Sequence, residues 1–281
     1  MEETIDRFSK TKVQFGPIRA NCIQASQGVI FMCQMNRRDV VIGMIVVLML
    51  GASSIARAQP AAPESKFSAE VGIGWDNSIS GNINSSAIGR LDNVATVITK
   101  NTYDDVYNQG LHLRFGGGYM LKEDVEARAT FTFQSSDADL ARMGDYGASP
   151  LYGQFSDYQS FALDVGLRKY HRVTPALQLY GEGTIGLGFV DKLDVTLVAP
   201  AVDLFRDAND FYDQTAAFAW AINGGVLFQG PGRVGVFAQL GIREVSGMSE
   251  VDDLVGTGLE EINDNSGRWT IPFLVGARVR F

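Results

Sequence analysis

The chain has 281 residues, enough for one or two domains, and carries a formal net charge of −8. That acidic balance argues against nucleic acid as a partner, because a phosphate-binding surface needs a local excess of Lys and Arg. Its two cysteines, Cys22 and Cys33, lie near the start, so no disulfide, thiolate metal site or cysteine nucleophile is available downstream.

In chain order, the first readable element is a secretory signal. Arg37 and Arg38 precede an apolar run over residues 40–50, and Ala56-Arg57-Ala58 then offers small residues at the two positions a signal peptidase reads. The run is too short to span a bilayer comfortably. Cleavage is expected between Ala58 and Gln59, and the lack of a following cysteine excludes a lipoprotein anchor. Met35 stands where a start codon belongs. Residues 1–34 therefore read as an over-extended gene start, 35–58 as the signal peptide, 59–66 as a polar periplasmic leader and 67–281 as the folded unit.

The remainder alternates apolar and polar residues in segments of strand length, in a chain with 31 glycines and 17 phenylalanines. Strands are predicted at 67–75, 110–120, 125–134, 158–170, 176–189, 215–228, 233–243 and 269–281. Short turns join the second strand to the third, the fourth to the fifth and the sixth to the seventh. Long polar connections, 76–109, 135–157, 190–214 and 244–268, separate the others. Eight strands with alternating long and short connections fit an antiparallel up-and-down barrel.

Alternation alone does not tell the inside of a barrel from its outside, and a soluble lipocalin-like barrel has its apolar face inward. Here the apolar faces carry aromatic residues near both ends. Trp75, Phe133, Phe161, Phe189, Trp220 and Trp269 fall near one rim, and Tyr119, Phe228 and Phe281 near the other, which suits a wall facing lipid. The final strand is apolar at every second position, Phe273 and Val279 included, and reaches Phe281. This pattern resembles the assembly signal of bacterial outer-membrane β-barrels. The chain as a whole is similar to the small barrels of the OmpA transmembrane domain, OmpX and opacity-protein type, in pattern more than in motif. The resemblance implies an all-β, eight-stranded transmembrane barrel in the bacterial outer membrane. Its expected partners are the lipid bilayer with its lipopolysaccharide and the barrel-assembly machinery, with an unknown ligand outside the cell. No peptidoglycan-binding segment is expected beyond Phe281. Pro272 cannot donate a ladder hydrogen bond, so a bulge or unpaired position is expected beside it.

The inward positions include Glu70, Glu126, Asp164 and Glu182 against Arg114, Arg128, Arg168 and Arg278. Four charges of each sign inside a narrow barrel imply a salt-bridged plug, resembling that of OmpA. Pairing Tyr170 with Ala176 would set Asp164 opposite Glu182, with Arg128 and Arg114 the nearest cations, and pairing Phe67 with Phe281 would set Glu70 opposite Arg278.

Two histidines lie in the predicted barrel. His112, with Asp104 and Asp105 just upstream, is the candidate for an outer-rim enzyme acting on lipid A or peptide, and His171 falls in a turn. A lumen histidine hydrogen-bonded to its neighbours is the favoured reading. The fourth long connection holds Glu244, Glu250, Asp252, Asp253, Glu260, Glu261 and Asp264 without a cation before Arg268. Calcium has hard oxygen ligands there, but the spacing matches no EF-hand and a solvated, mobile loop is expected. The sequence therefore points to a non-enzymatic surface protein, without cofactor or metal, that stabilises the membrane and binds or adheres through four acidic external loops. A narrow diffusion pore and a His112 enzyme are the alternatives.

Overall fold

The computed structural model describes residues 66–230, 232–249 and 256–281. The signal peptide, the gene start and most of the leader lie outside these residues, as do Glu250, Asp252 and Asp253.

The chain runs through β1 (Phe67–Ser80), β2 (Asn82–Asn84), β3 (Ala87–Leu91), β4 (Val94–Ile98), β5 (Asn101–Thr102) and the one-turn helix α1 (Tyr103–Val106). It continues through β6 (Gly110–Lys122), β7 (Val125–Ser136), β8 (Leu140–Tyr146), β9 (Ser149–Phe155), β10 (Tyr158–Arg172) and β11 (Leu177–Val190). The last elements are β12 (Leu193–Ala199), β13 (Leu204–Tyr212), β14 (Thr215–Gln229), β15 (Val234–Val245) and β16 (Arg268–Arg280).

Eight of these strands close a barrel in the order β1-β16-β15-β14-β11-β10-β7-β6, each antiparallel to its neighbours. They are the eight strands read from the sequence, most of them one to five residues longer. The alternation has the sense that a membrane requires. Side chains such as Leu163, Val165, Leu167, Ile185 and Ile222 are more than half exposed on the outside, while Glu126, Arg168 and Arg278 are fully buried inside. In water this would be an inverted protein; in a bilayer, both surfaces are satisfied.

β1 and β16 close the barrel with Glu70 opposite Arg278, and the Phe281 amide donates to the Phe67 carbonyl at 3.1 Å. Around Pro272 the β15–β16 ladder keeps its register but lacks the Gly241 and Ile242 pairs, consistent with a residue that has no N–H to give. At the β10–β11 seam the register expected from the sequence is off by four residues. The turn takes up Val173–Ala176, with the Val173 and Thr174 amides donating to the Leu177 carbonyl, so Tyr170 meets Tyr180 rather than Ala176. Arg168 then faces Glu182, and Asp164 faces Gly186; the like-charge pair does not occur.

The larger correction concerns the long connections, whose described residues do not form open, solvated loops. The first supplies β2 to β5 and α1, the second the β8–β9 hairpin, and the third the β12–β13 hairpin. Together they build a six-stranded sheet, β13-β12-β9-β8-β4-β3, on the external side of the barrel. β12 reads L-D-V-T-L-V-A and buries Leu193, Val195, Leu197 and Ala199 on one face, an alternation as clear as that of the wall strands. The fourth connection contributes Leu259 and Ile262, both fully buried, and is tied to the first by Arg90 N to Thr257 O (2.7 Å) and Ser85 N to Ile262 O (2.8 Å). These residues form one apolar core that also takes in Tyr158, Val190, Ala217, Ala219 and Val245 from the outer ends of the barrel strands.

Candidate functional site

Two regions of this fold concentrate chemistry: the charged lumen and the external cap. The lumen is built by parity, since every second residue of a barrel strand points inward.

Nearest the periplasmic mouth, Tyr170, Tyr180, Leu227 and Phe237 make a small apolar cluster. Beside it lies a network of seven charges. Glu70 is held by Arg128 and Arg168, each at 2.6 Å, and Glu182 by Arg168 at 2.7 Å and Arg114 at 3.0 Å. Glu126 is held by Arg278 at 2.6 Å, by the Tyr170 hydroxyl at 2.6 Å and by the Ser68 hydroxyl at 2.5 Å. Tyr170 also accepts from Arg278, and the Arg168 guanidinium lies 4.1 Å from the centre of the Tyr180 ring. Burying this many ions is tolerable only because nearly every carboxylate oxygen has a charged or hydroxyl donor.

Further out, Asp164 leaves this network. Its partner is Arg243 of β15, at 3.1 Å, rather than Arg114 or Arg128, which the other acids take. A third layer joins Asp76, Gln134, His112 and Ser160. Gln134 donates to Asp76 (2.5 Å) and accepts from Ser160 (3.2 Å), which fixes its amide orientation. Its Nε2 therefore also faces His112 Nδ1 as donor (3.4 Å), leaving the imidazole proton on Nε2. Arg268 closes the layer, 3.9 Å from Asp76, donating to Ser78 and Ser136 and stacking 4.1 Å over Tyr158.

The structure thus brings the eight charged residues singled out from sequence into one lumen but splits them into two groups. Sequence reading missed Asp76, Arg243 and Arg268, although each has the inward parity of its strand. It also left Tyr170 and Tyr180 out of the charged network, although Tyr180 shares the inward face of its strand with Glu182. His112 is buried in the lumen beneath the apolar cap core, and Asp104 and Asp105 belong to α1 in the cap, so these residues do not form one site. His171 lies at the periplasmic end of β10.

On the outer surface of the wall, Trp75 packs on Phe273 (4.7 Å between ring centres), Phe161 on Phe189 (4.8 Å) and Trp220 edge-on against Trp269 (5.3 Å). Near the periplasmic rim Tyr119 packs against Phe67 at 5.0 Å, and Phe228, Val279 and Phe281 face outward. Phe133 is partly exposed on the same outward face of β7. Of the acidic residues expected in the fourth connection, Glu244 lies in β15 and accepts from the Trp220 indole at 2.5 Å, while Glu260 accepts from the Gly256 and Gly258 amides at 2.6 and 3.3 Å. The Glu260 backbone amide, together with those of Gly256 and Gly258, holds this carboxyl below the usual carboxylate range. No group of three or more metal-ligating side chains occurs among the described residues.

No protein-family profile and no curated protein matches the chain. Among solved structures it is similar to Neisserial surface protein A, with a TM-score of 0.42 and 12% identity over 76% of this chain and 97% of that one. It is also similar to the outer-membrane protease OmpT of Escherichia coli, with a TM-score of 0.39 and 9% identity over 80% and 100%. A third is Ail, the attachment invasion locus protein of Yersinia pestis, with a TM-score of 0.34 and 12% identity over 77% and 99%. An outward face this apolar, on a sheet that closes on itself around buried charge, matches only one solvent, the interior of a bilayer. The chain is a closed eight-stranded antiparallel β-barrel whose wall is built to face the interior of a bilayer.

Proposed function

We propose that this protein is a non-catalytic surface protein whose barrel anchors and stabilises the membrane, and whose external cap is a preformed binding face. The observation that carries this reading is the cap itself: connections that could have been open loops form a six-stranded sheet over a core of their own. A rigid surface loses little conformational entropy on binding, so the cap is built to hold a ligand outside the cell. Its edges join through Arg206 and Asp92, 3.3 Å apart.

The same core weighs against a diffusion pore. The lumen is filled by apolar side chains at its outer end and by the ion network at its inner end. Against the enzyme reading stands His112, which is buried below the cap, apart from Asp104 and Asp105 in α1. Recognition by the barrel-assembly machinery through Phe273, Val279 and Phe281 belongs to the same proposal.

Purified protein in planar bilayers should show no stepwise conductance. In a binding screen against surface glycans and matrix proteins, the intact protein should score where a variant with Leu197→Asp and Leu259→Asp, which opens the cap core, does not. Steady channel currents, or lipid A or peptide turnover abolished by His112→Ala, would overturn the proposal.

A further inference from the structure

The buried charges of the lumen do not cancel. Among the described residues six guanidiniums and five carboxylates are buried. Asp76 with Arg268 and Asp164 with Arg243 are one-to-one, so the excess positive charge belongs to the network of four arginines and three glutamates. A buried ion without a counter-charge is strongly disfavoured.

Where that excess meets free space is defined. Between the network and the outer layer lies a small cavity, about 10 Å³ in the volume open to the centre of a water-sized particle, lined by polar side chains together with Ala221, Pro272 and Leu274. Arg114, Arg243, His112, Thr130, Thr132 and Thr184 line it, with Asp164. Arg114 is the outermost guanidinium of the network, tied to Glu182 at 3.0 Å and only loosely to Glu70 at 3.9 Å. Arg243, 4% exposed, spends Nη1 on Asp164, while its Nε and Nη2 have no hydrogen-bond partner. His112 carries its proton on Nε2, and the three threonines bring hydroxyls. Asn223 and Gln239 complete the polar lining; Asp164 Oδ1 and the side-chain carbonyl of Asn223, whose amide donates to Glu182 at 3.2 Å, are its acceptors, and the other polar groups can donate.

We propose that this cavity binds a single small inorganic anion, a halide, between Arg114 and Arg243. A water molecule would fill the same volume and accept the same donors, but it would leave the excess charge uncompensated. The volume selects against sulfate and phosphate. Asp164 sets the affinity, since its carboxylate competes for Arg243 and repels the bound ion.

The test uses the full protein in detergent micelles at constant ionic strength, with chloride or bromide replacing gluconate. The melting temperature should rise saturably with halide and stay flat with gluconate, and bromide-soaked crystals should give an anomalous peak in the cavity. Arg243→Gln should abolish the halide-dependent shift. Asp164→Asn, which keeps the shape of the side chain, should tighten halide binding by about tenfold or more, as loss of a charge a few ångströms away requires. Equal melting in halide and gluconate, a water in place of bromide, or weaker binding in Asp164→Asn would overturn the proposal. So would a bromide peak without a saturable shift in solution, which would mark an adventitious ion only.

Discussion

Arg168 faces Glu182 across the β10–β11 seam and lies within 2.7 Å of it, while the same guanidinium reaches Glu70 on β1 at 2.6 Å. One side chain thus ties strands on two sides of the lumen.

Removing it should be costly in a specific way. Arg168→Ala leaves Glu70 and Glu182 short of a buried cation, and breaking such a pair by deleting one partner costs about 3–5 kcal/mol. Urea unfolding in lipid vesicles should show that loss. A double variant, Arg168→Met with Glu70→Gln, should recover at least half of it, because it removes the cation together with one of its anions and leaves Glu182 to Arg114. Equal instability of the two variants would show that packing around Tyr180, rather than charge, is what Arg168 supplies.

The fourth connection should behave as part of the scaffold. Leu259 and Ile262 are fully buried in the cap core, so the change of either to Ala should cost about 2–5 kcal/mol of cap stability. Limited proteolysis of intact cells should then cut the cap of the variants and spare that of the parent protein. The heat-modifiable gel mobility of the barrel should be retained in both. Protease resistance equal to the parent's would place these side chains outside the core.

A pH dependence is expected at α1. The Asp105 carboxylate accepts from the Thr102 amide at 2.8 Å and its hydroxyl at 2.5 Å, which holds its carboxyl below the ordinary value. A depressed folded-state value means that the contribution is complete above the usual carboxylate range and is lost as pH falls through the lowered one. The group is exposed and screened, so Asp105→Asn should cost about 0.5 kcal/mol at neutral pH, the low end for a cap. Hydrogen exchange at the Thr102 amide should quicken in the variant at pH 7 and match the parent in strong acid. Identical exchange at both pH values would contradict the assignment.

Gly74 is inward-facing, and a Cβ there would collide with the Phe273 carbonyl of the neighbouring strand. Gly74→Ala should therefore strain the β1–β16 seam and cost about 1–3 kcal/mol. The check is the yield of folded, heat-modifiable protein. A neutral effect would mean that the seam adjusts more easily than its geometry suggests.

The wall was legible because a lipid-facing strand must alternate without exception, and eight such runs stood clear of their turns. Parity also gave the inward charges. It did not give the β10–β11 register, because Thr174 and its neighbours extend the turn through local hydrogen bonds that composition does not specify. The cap went unread for another reason. Its strands are short, and partners such as β9 and β12 come from different connections, so no local pattern reveals that they pair. Acidic and glycine-rich stretches masked runs such as Leu193–Ala199, whose alternation is as regular as that of the wall. Asp164 and Arg243 failed for a related reason: they lie on strands three places apart in the barrel order, joined only across its interior.

The apolar core above the membrane has a consequence for biogenesis. Its residues come from all four connections and from the outer ends of the barrel strands, so none of it can be buried until those segments have crossed to the cell exterior and the strands have met. During transit the stretches around Leu193–Ala199 and Leu259 are as sticky as any wall strand. The cap core is therefore the last part of the fold to be buried, and it can close only on a wall that has already formed.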